Sequence, residues 1–139
     1  MRIVALDLGK KRVGLAYAND RIGVVIPLDP FVVKVELQEE LGQLHKRVLE
    51  YQADLVIVGD PITLDGERGL ASEWAHQVGD ELGNSFGLDI GYVDERLSTN
   101  QGNRALRETG LRGKKLRSRI DSAAAVVILE HYMELRKRD

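Results

Sequence analysis

Apolar positions along this chain follow two rhythms, and the switches between them lay out its elements. Arg2–Leu8, with Ile3-Val4-Ala5-Leu6, and the run Leu55-Val56-Ile57-Val58 are apolar on both faces, as central strands covered on each side are. Residues 12–18 alternate, and Gly9-Lys10-Lys11 before them signals a turn, so the first two strands form a hairpin. After a second turn at Asn19-Asp20-Arg21, residues 22–28 read as a third strand that ends near Pro27 and Pro30. Leu37, Leu41, Leu44, Val48 and Tyr51 recur at helical spacing and predict an amphipathic helix over 35–52. Leu70, Trp74, Val78 and Leu82 fall four apart and predict a helix from about 69 to 85. Residues 90–93 read as a short strand, 99–108 as a short helix, 109–119 as a glycine-containing loop, and 118–136 as a closing helix.

Three antiparallel strands, then helix, strand, helix, strand and helices, describe an α/β sandwich. The strands at Leu55 and Ile90 arrive through helical crossovers and so are expected to run parallel to their neighbours. At 139 residues, with 43% hydrophobic and 30% charged residues, the chain is expected to be one globular domain over 1–139. The absence of cysteine excludes disulfides, thiolate nucleophiles and zinc–thiolate sites, and fits a reducing compartment. Residues 1–7 lack the long apolar core of a secretory signal, and no apolar run approaches membrane-spanning length. A soluble, cytoplasmic protein with no membrane partner is the expectation.

Net charge is −2 and carries no nucleic-acid signal, but the distribution does. Arg104, Arg107, Arg112, Lys114, Lys115, Arg117 and Arg119 are opposed only by Glu108, and Lys10, Lys11 and Arg12 follow Asp7 directly. A charge run is most often a solvated face. Both clusters neighbour carboxylates in sequence, however, which favours contact with a phosphate backbone.

Four carboxylate segments stand where apolar elements meet turns: Asp7, Asp60, Asp94-Glu95 and Asp121. Asp7 lies between Leu6 and Leu8 in a central strand, where an unpaired charge is costly, so a metal ion is its expected partner. Asp94-Glu95 reads equally as a ligand, a helix cap or an ion pair with Arg96. Asp121 opens the run Ser122-Ala123-Ala124-Ala125, whose small side chains let a helix approach the sheet closely. An acid in the first turn is also favoured by the helix dipole alone. Together the four fit phosphodiester hydrolysis, in which two Mg²⁺ or Mn²⁺ ions about 3.5–4 Å apart activate water and steady the leaving oxygen. His45, His76 and His131 have no ligand spacing and are assigned no chemistry, and Trp74 reads as core. The 61–69 connection, with Asp65-Gly66, lies at the mouth of such a site, as a substrate-positioning loop or a plain link. Ser98 and Thr99 are read as phosphate donors or as a helix cap.

Asp7-Leu8-Gly9-Lys10-Lys11-Arg12-Val13-Gly14-Leu15-Ala16, Val58-Gly59-Asp60-Pro61 with Asp65-Gly66, Val93-Asp94-Glu95-Arg96-Leu97-Ser98-Thr99, and Asp121-Ser122-Ala123-Ala124 with Ile128-Leu129 occur in that order. This succession resembles the YqgF/RuvX family of small RuvC-like proteins. The resemblance implies an RNase H-like α/β fold, with a mixed five-stranded sheet flanked by helices. It also implies a metal-dependent nuclease in which Asp7, Glu95 and Asp121 bind the ions. Lys10, Lys11, Arg12, Arg96, Thr99, Arg112, Lys114, Lys115, Arg117 and Arg119 are the candidate nucleic-acid contacts. Two positions depart from the family pattern: Asp60, usually apolar, and Asn19, usually serine. Asp60 is therefore either an added ligand beside Asp7 or a turn cap before Pro61.

The activities implied are processing of the 5′ end of pre-16S ribosomal RNA, placed first, and resolution of Holliday junctions in DNA recombination and repair. A resolvase cuts two strands symmetrically and so calls for a homodimer, whereas an RNA-trimming enzyme can be a monomer. A small-molecule phosphotransferase is disfavoured, because no G-x-x-x-x-G-K-[ST] loop exists and one domain cannot enclose ATP. A non-catalytic RNA-binding module is the further alternative.

Overall fold

Five strands form one sheet, and their order brings Asp7, Asp60 and Asp94, at the ends of three of them, to a single edge. In the computed structural model, which describes residues 1–63, 65–95 and 122–137, β1 (Arg2–Leu8), β2 (Arg12–Asn19), β3 (Val25–Val32), β4 (Leu55–Asp60) and β5 (Ile90–Asp94) assemble in the order β3-β2-β1-β4-β5. β1–β2 and β2–β3 are antiparallel, while β1–β4 and β4–β5 are parallel, as the helical crossovers predict. The register pairs Leu6 with Val58 and Asp60 with Asp94, so the C-terminal ends of β1, β4 and β5 come level.

Strand alternation divides the core into two layers. Val4, Leu6, Val56 and Val58 face α1 (Leu41–Leu49) and α2 (Leu70–Phe86), meeting Leu44, Val48, Val78 and Leu82. Ile3, Ala5, Ala16, Ala18, Ile57 and Val93 face α3 (Ala123–Lys137) and pack on Ala125, Ile128 and Leu129. Buried alanines at 123–125 let α3 lie close against the sheet. The buried Ser122 hydroxyl, just ahead of α3, donates to the Leu28 carbonyl and accepts the Leu15 N–H at 3.3 Å, where the β2–β3 register slips. The end of β2 level with Asp7 is thus tied to the start of α3. Among the described residues no helix is long and apolar enough to cross a membrane.

Two elements, β3 and α1, differ in their bounds from the sequence reading. β3 begins later and runs through both Pro27 and Pro30, which an edge strand tolerates because part of its backbone needs no ladder partner. α1 starts at Leu41 rather than 35, after a 3₁₀ turn over Leu37–Glu39. The cause is local: the Glu40 carboxylate accepts the backbone N–H groups of Lys34, Val35 and Glu36, holding them in a loop. The chain leaves α1 through Gln52, which adopts a left-handed φ of 50°. α2 closes on Gly87, whose left-handed φ of 68° lets its N–H reach the Gly83 carbonyl. The expected helix over 99–108, the loop over 109–119 and the first turn of the closing helix lie outside the described residues.

Candidate active site

Residue parity decides which acids can meet. Ile3 and Ala5 face α3, so Asp7, two residues on, faces α3 as well. Val93 faces α3, and so does Glu95, just past the end of β5. Between them runs β4, whose residue on that face is Gly59. A Cβ there would collide with Glu95 Oε2 and with Ile128 Cδ1, so the Glu95 side chain lies directly over the Gly59 backbone. It reaches across to Asp7, with which it is hydrogen-bonded. Strands two apart in a sheet are separated by roughly 10 Å, a span that a glutamate covers only if the strand between presents no side chain. The Glu95 backbone is held as well, its N–H donating to the Asp60 carbonyl at 3.1 Å.

Two carboxylates in contact cannot both ionise cheaply. Burial, then the charge of Asp7 and the hydrogen bond to it, push the Glu95 carboxyl up to about 8. Burial raises Asp7 too, and the hydrogen bond from Glu95 opposes that rise. The contact thus favours the protonated form of Glu95 and the ionised form of Asp7. Hard oxygen donors, mutual repulsion and a shared proton are what a divalent cation relieves, so the pair fits one. Among the described residues no cluster of three or more His, Cys, Asp or Glu is placed to hold a metal. Asp121 lies outside them, as do Arg96, Thr99, Arg112, Lys114, Lys115, Arg117 and Arg119. Lys10 and Lys11, in the β1–β2 turn, and Arg12, at the start of β2, are exposed three to five residues beyond Asp7.

Asp60 faces the other way. It shares parity with Val56 and Val58, so its side chain, 7% exposed, points to α2. There Oδ1 accepts the Ser72 hydroxyl and Oδ2 lies 2.9 Å from His76 Nε2. The expectation of a ligand oxygen beside Asp7 is corrected by this placement: both oxygens are engaged on the opposite side of the sheet. His76, assigned no chemistry from sequence, is the partner of this acid and stacks on Tyr92, with ring centroids 3.8 Å apart. Tyr92 in turn donates to Asp80 at 2.6 Å, and burial with that acceptor raises its hydroxyl pKa. The signal that could have found His76 is its spacing of four from Ser72, on a helix facing the apolar side of β4. Arg68, on the 61–69 connection, donates to Ser72 Oγ at 3.0 Å.

Comparison with known proteins agrees with this fold. The family model described as "RuvX: Holliday junction resolvase" matches residues 1–135. A relative from an Anaeromyxobacter species, provisionally named a pre-16S rRNA nuclease, is 36% identical over 135 residues, covering 96% of this chain and 97% of its own. One from Lactococcus lactis, with the same provisional name, is 36% identical over 138 residues, with 96% and 94% covered. Among solved structures, Thermus thermophilus RuvC in complex with a Holliday junction substrate superposes with a TM-score of 0.54 at 20% identity, over 99% of this chain and 96% of that one. The yeast mitochondrial Holliday junction resolvase Ydc2 gives a TM-score of 0.62 at 10% identity, over 98% and 79%. At such identities the likeness is one of fold, and the fold is the RNase H-like one.

Proposed function

This chain belongs to the RuvX family, and from that premise we propose that it is a nuclease hydrolysing phosphodiester bonds in structured nucleic acid, with the 5′ end of pre-16S ribosomal RNA as its substrate. The observation that carries the reading is the meeting of Asp7 and Glu95 over Gly59, at the sheet edge that the Lys10-Lys11-Arg12 turn overhangs. We take the protein to be a cytoplasmic single domain.

Asp7 and Glu95, joined by Asp121 on the strength of the sequence motif, are the residues that would hold Mg²⁺ or Mn²⁺. When bound, the ions (two in our reading) supply the Lewis acidity that activates water and steadies the departing oxygen. The chain's own groups do the rest. Glu95 gives up the proton it holds against Asp7, which frees four carboxylate oxygens on one face of the sheet. Gly59 keeps that face clear. Lys10, Lys11 and Arg12 draw in the phosphate backbone and hold it beside the acids. Ser122, tied to Leu15 and Leu28, fixes the approach of α3 to the same edge.

Resolution of Holliday junctions is the second reading, favoured by the description of the family model and requiring a twofold homodimer. One experiment tests both. Wild type and Asp7→Asn are compared on precursor RNA and on four-way DNA junctions at matched salt, with Mg²⁺ and with Mn²⁺, and mass in solution is measured alongside. Faster cutting of the RNA supports the first reading. Paired symmetric nicks in the junction by a dimer support the second. Binding without any turnover on either substrate overturns the nuclease assignment in favour of a non-catalytic module.

A further inference from the structure

We infer that a cleft beside Lys10 is a subsite for one unpaired nucleobase of the substrate, stacked on Trp74 with its phosphate held by Lys10; this rests on the nucleic-acid reading above. The cleft, of about 410 Å³, lies between the α2 residue Trp74 and the segment Val35, Glu36, Leu37 and Gln38, with Lys10 at its mouth. That volume falls in the range of about 300–1,000 Å³ typical of small-molecule sites. Trp74 is half-buried, resting on the core while part of its ring remains accessible. Opposite it, Val35 is 82% exposed, an apolar side chain with nothing over it that a base would cover.

Both walls are held in place. Glu40 clamps the N–H groups of Lys34, Val35 and Glu36 at 2.8, 2.8 and 2.9 Å, and Leu37 is buried in the core. On the other side, Ser72 and His76, each two residues from Trp74, are fastened to Asp60 at the end of β4. A cleft with pre-set walls loses little entropy when a ring slides in.

The chemistry matches a nucleotide. Lys10 Nζ lies 6.0 Å from the Trp74 ring centroid, the arrangement of a cation over an aromatic face. An incoming base takes that place over the ring, and the ammonium turns on its flexible stem to the adjoining phosphate. Glu36 and Gln38 offer hydrogen-bonding groups to the base edge. Lys10 is three residues from Asp7, within about 10 Å along an extended backbone, so the cleft opens at the same end of β1 as the acidic pair, on the α2 side of the sheet.

Trp74 is the chain's one tryptophan, so its emission reports this cleft alone. The full chain is titrated with a short oligoadenylate, as RNA and as DNA, without divalent cation, while anisotropy follows binding. Quenching by both strands is expected, and an abasic strand with the same phosphates should leave the emission unchanged. Trp74→Ala should weaken oligoadenylate binding about tenfold, the scale of one stacked base, and Trp74→Phe should restore most of it. The quenching arm uses the wild-type chain and stands whether or not the variants fold. Binding with unaltered emission, or no binding at all, overturns the subsite. Cleavage of precursor RNA in Mg²⁺ separates the two readings. Turnover without quenching removes the subsite alone; quenching without turnover removes the nuclease reading and leaves a base-binding cleft.

Discussion

On the α3 face of the sheet edge, the Glu95 side chain crosses Gly59 to meet Asp7, and burial and the charge of Asp7 raise its carboxyl pKa. On the α2 face, Asp60, a single residue beyond Gly59, meets a serine hydroxyl and an imidazole. Residue type and level in the sheet are the same, and strand parity separates the two outcomes. The first pair is strained by its own charge and ready for a cation. The second is already answered by the protein and fastens α2 to the sheet. An acid at a strand end is thus a ligand candidate only once the face it points to is known.

Substitutions that break this contrast should follow a descending order. Asp7→Asn should lower turnover by about a thousandfold or more, the scale seen when a central group of a catalytic set is removed, while binding of nucleic acid is retained. Steady-state cleavage beside an anisotropy titration checks it, and near-normal turnover would refute the role.

Gly59→Ala should come next. The added Cβ displaces Glu95 from Asp7 and presses on Ile128, so cation affinity should fall about 10–100-fold and stability by about 1–3 kcal/mol. Calorimetry with Mn²⁺ and thermal melts measure the two effects. An alanine variant that binds Mn²⁺ normally would show that Glu95 does not cross β4 in solution.

Asp60→Leu should do the reverse. Stability should drop by about 1–3 kcal/mol, because the buried Ser72 hydroxyl loses its acceptor, while cation affinity stays as in the wild type. Loss of affinity without loss of stability would return Asp60 to the ligand set.

A further test is one of pH. The Glu95 carboxyl is raised from an ordinary 4.5 to about 8, so the cation-free folded state binds a proton that the unfolded chain has released. Stability from this group is full below about pH 4.5 and is lost as pH climbs through about 8. Glu95→Gln should therefore raise the melting temperature of the cation-free protein at pH 8 and leave it unchanged near pH 4. In the wild type, Mg²⁺ affinity should weaken on acidification below about 8, with uptake of the ion releasing a proton. A flat pH profile for both quantities would remove the shared proton.

Much of this was legible along the chain. β1 and β4 were plain from their two-sided apolar runs, and parallel pairing followed from the crossovers. The β3 boundary was misread because proline is judged against a central strand until the edge position is known. The start of α1 was misread because the apolar repeat does not register three N–H groups taken by Glu40. The motifs mark Asp7 and Glu95 as candidates, but their contact rests on Gly59, which reads in the sequence as an ordinary strand-end glycine. His76 carries no mark in the sequence, because its partner is 16 residues away and no ligand spacing flags it.

Periodicity, a property of neighbours along the backbone, determined the order of elements, while the choice of Asp7 and Glu95 among the acids came from the motifs that resemble the family. Only the folded sheet decided which acids share a face, since that depends on the register between strands brought together from distant parts of the chain. Coulombic repulsion and desolvation act through space, so the proton held by Glu95, and the readiness for a cation that follows from it, arise only when that register has formed.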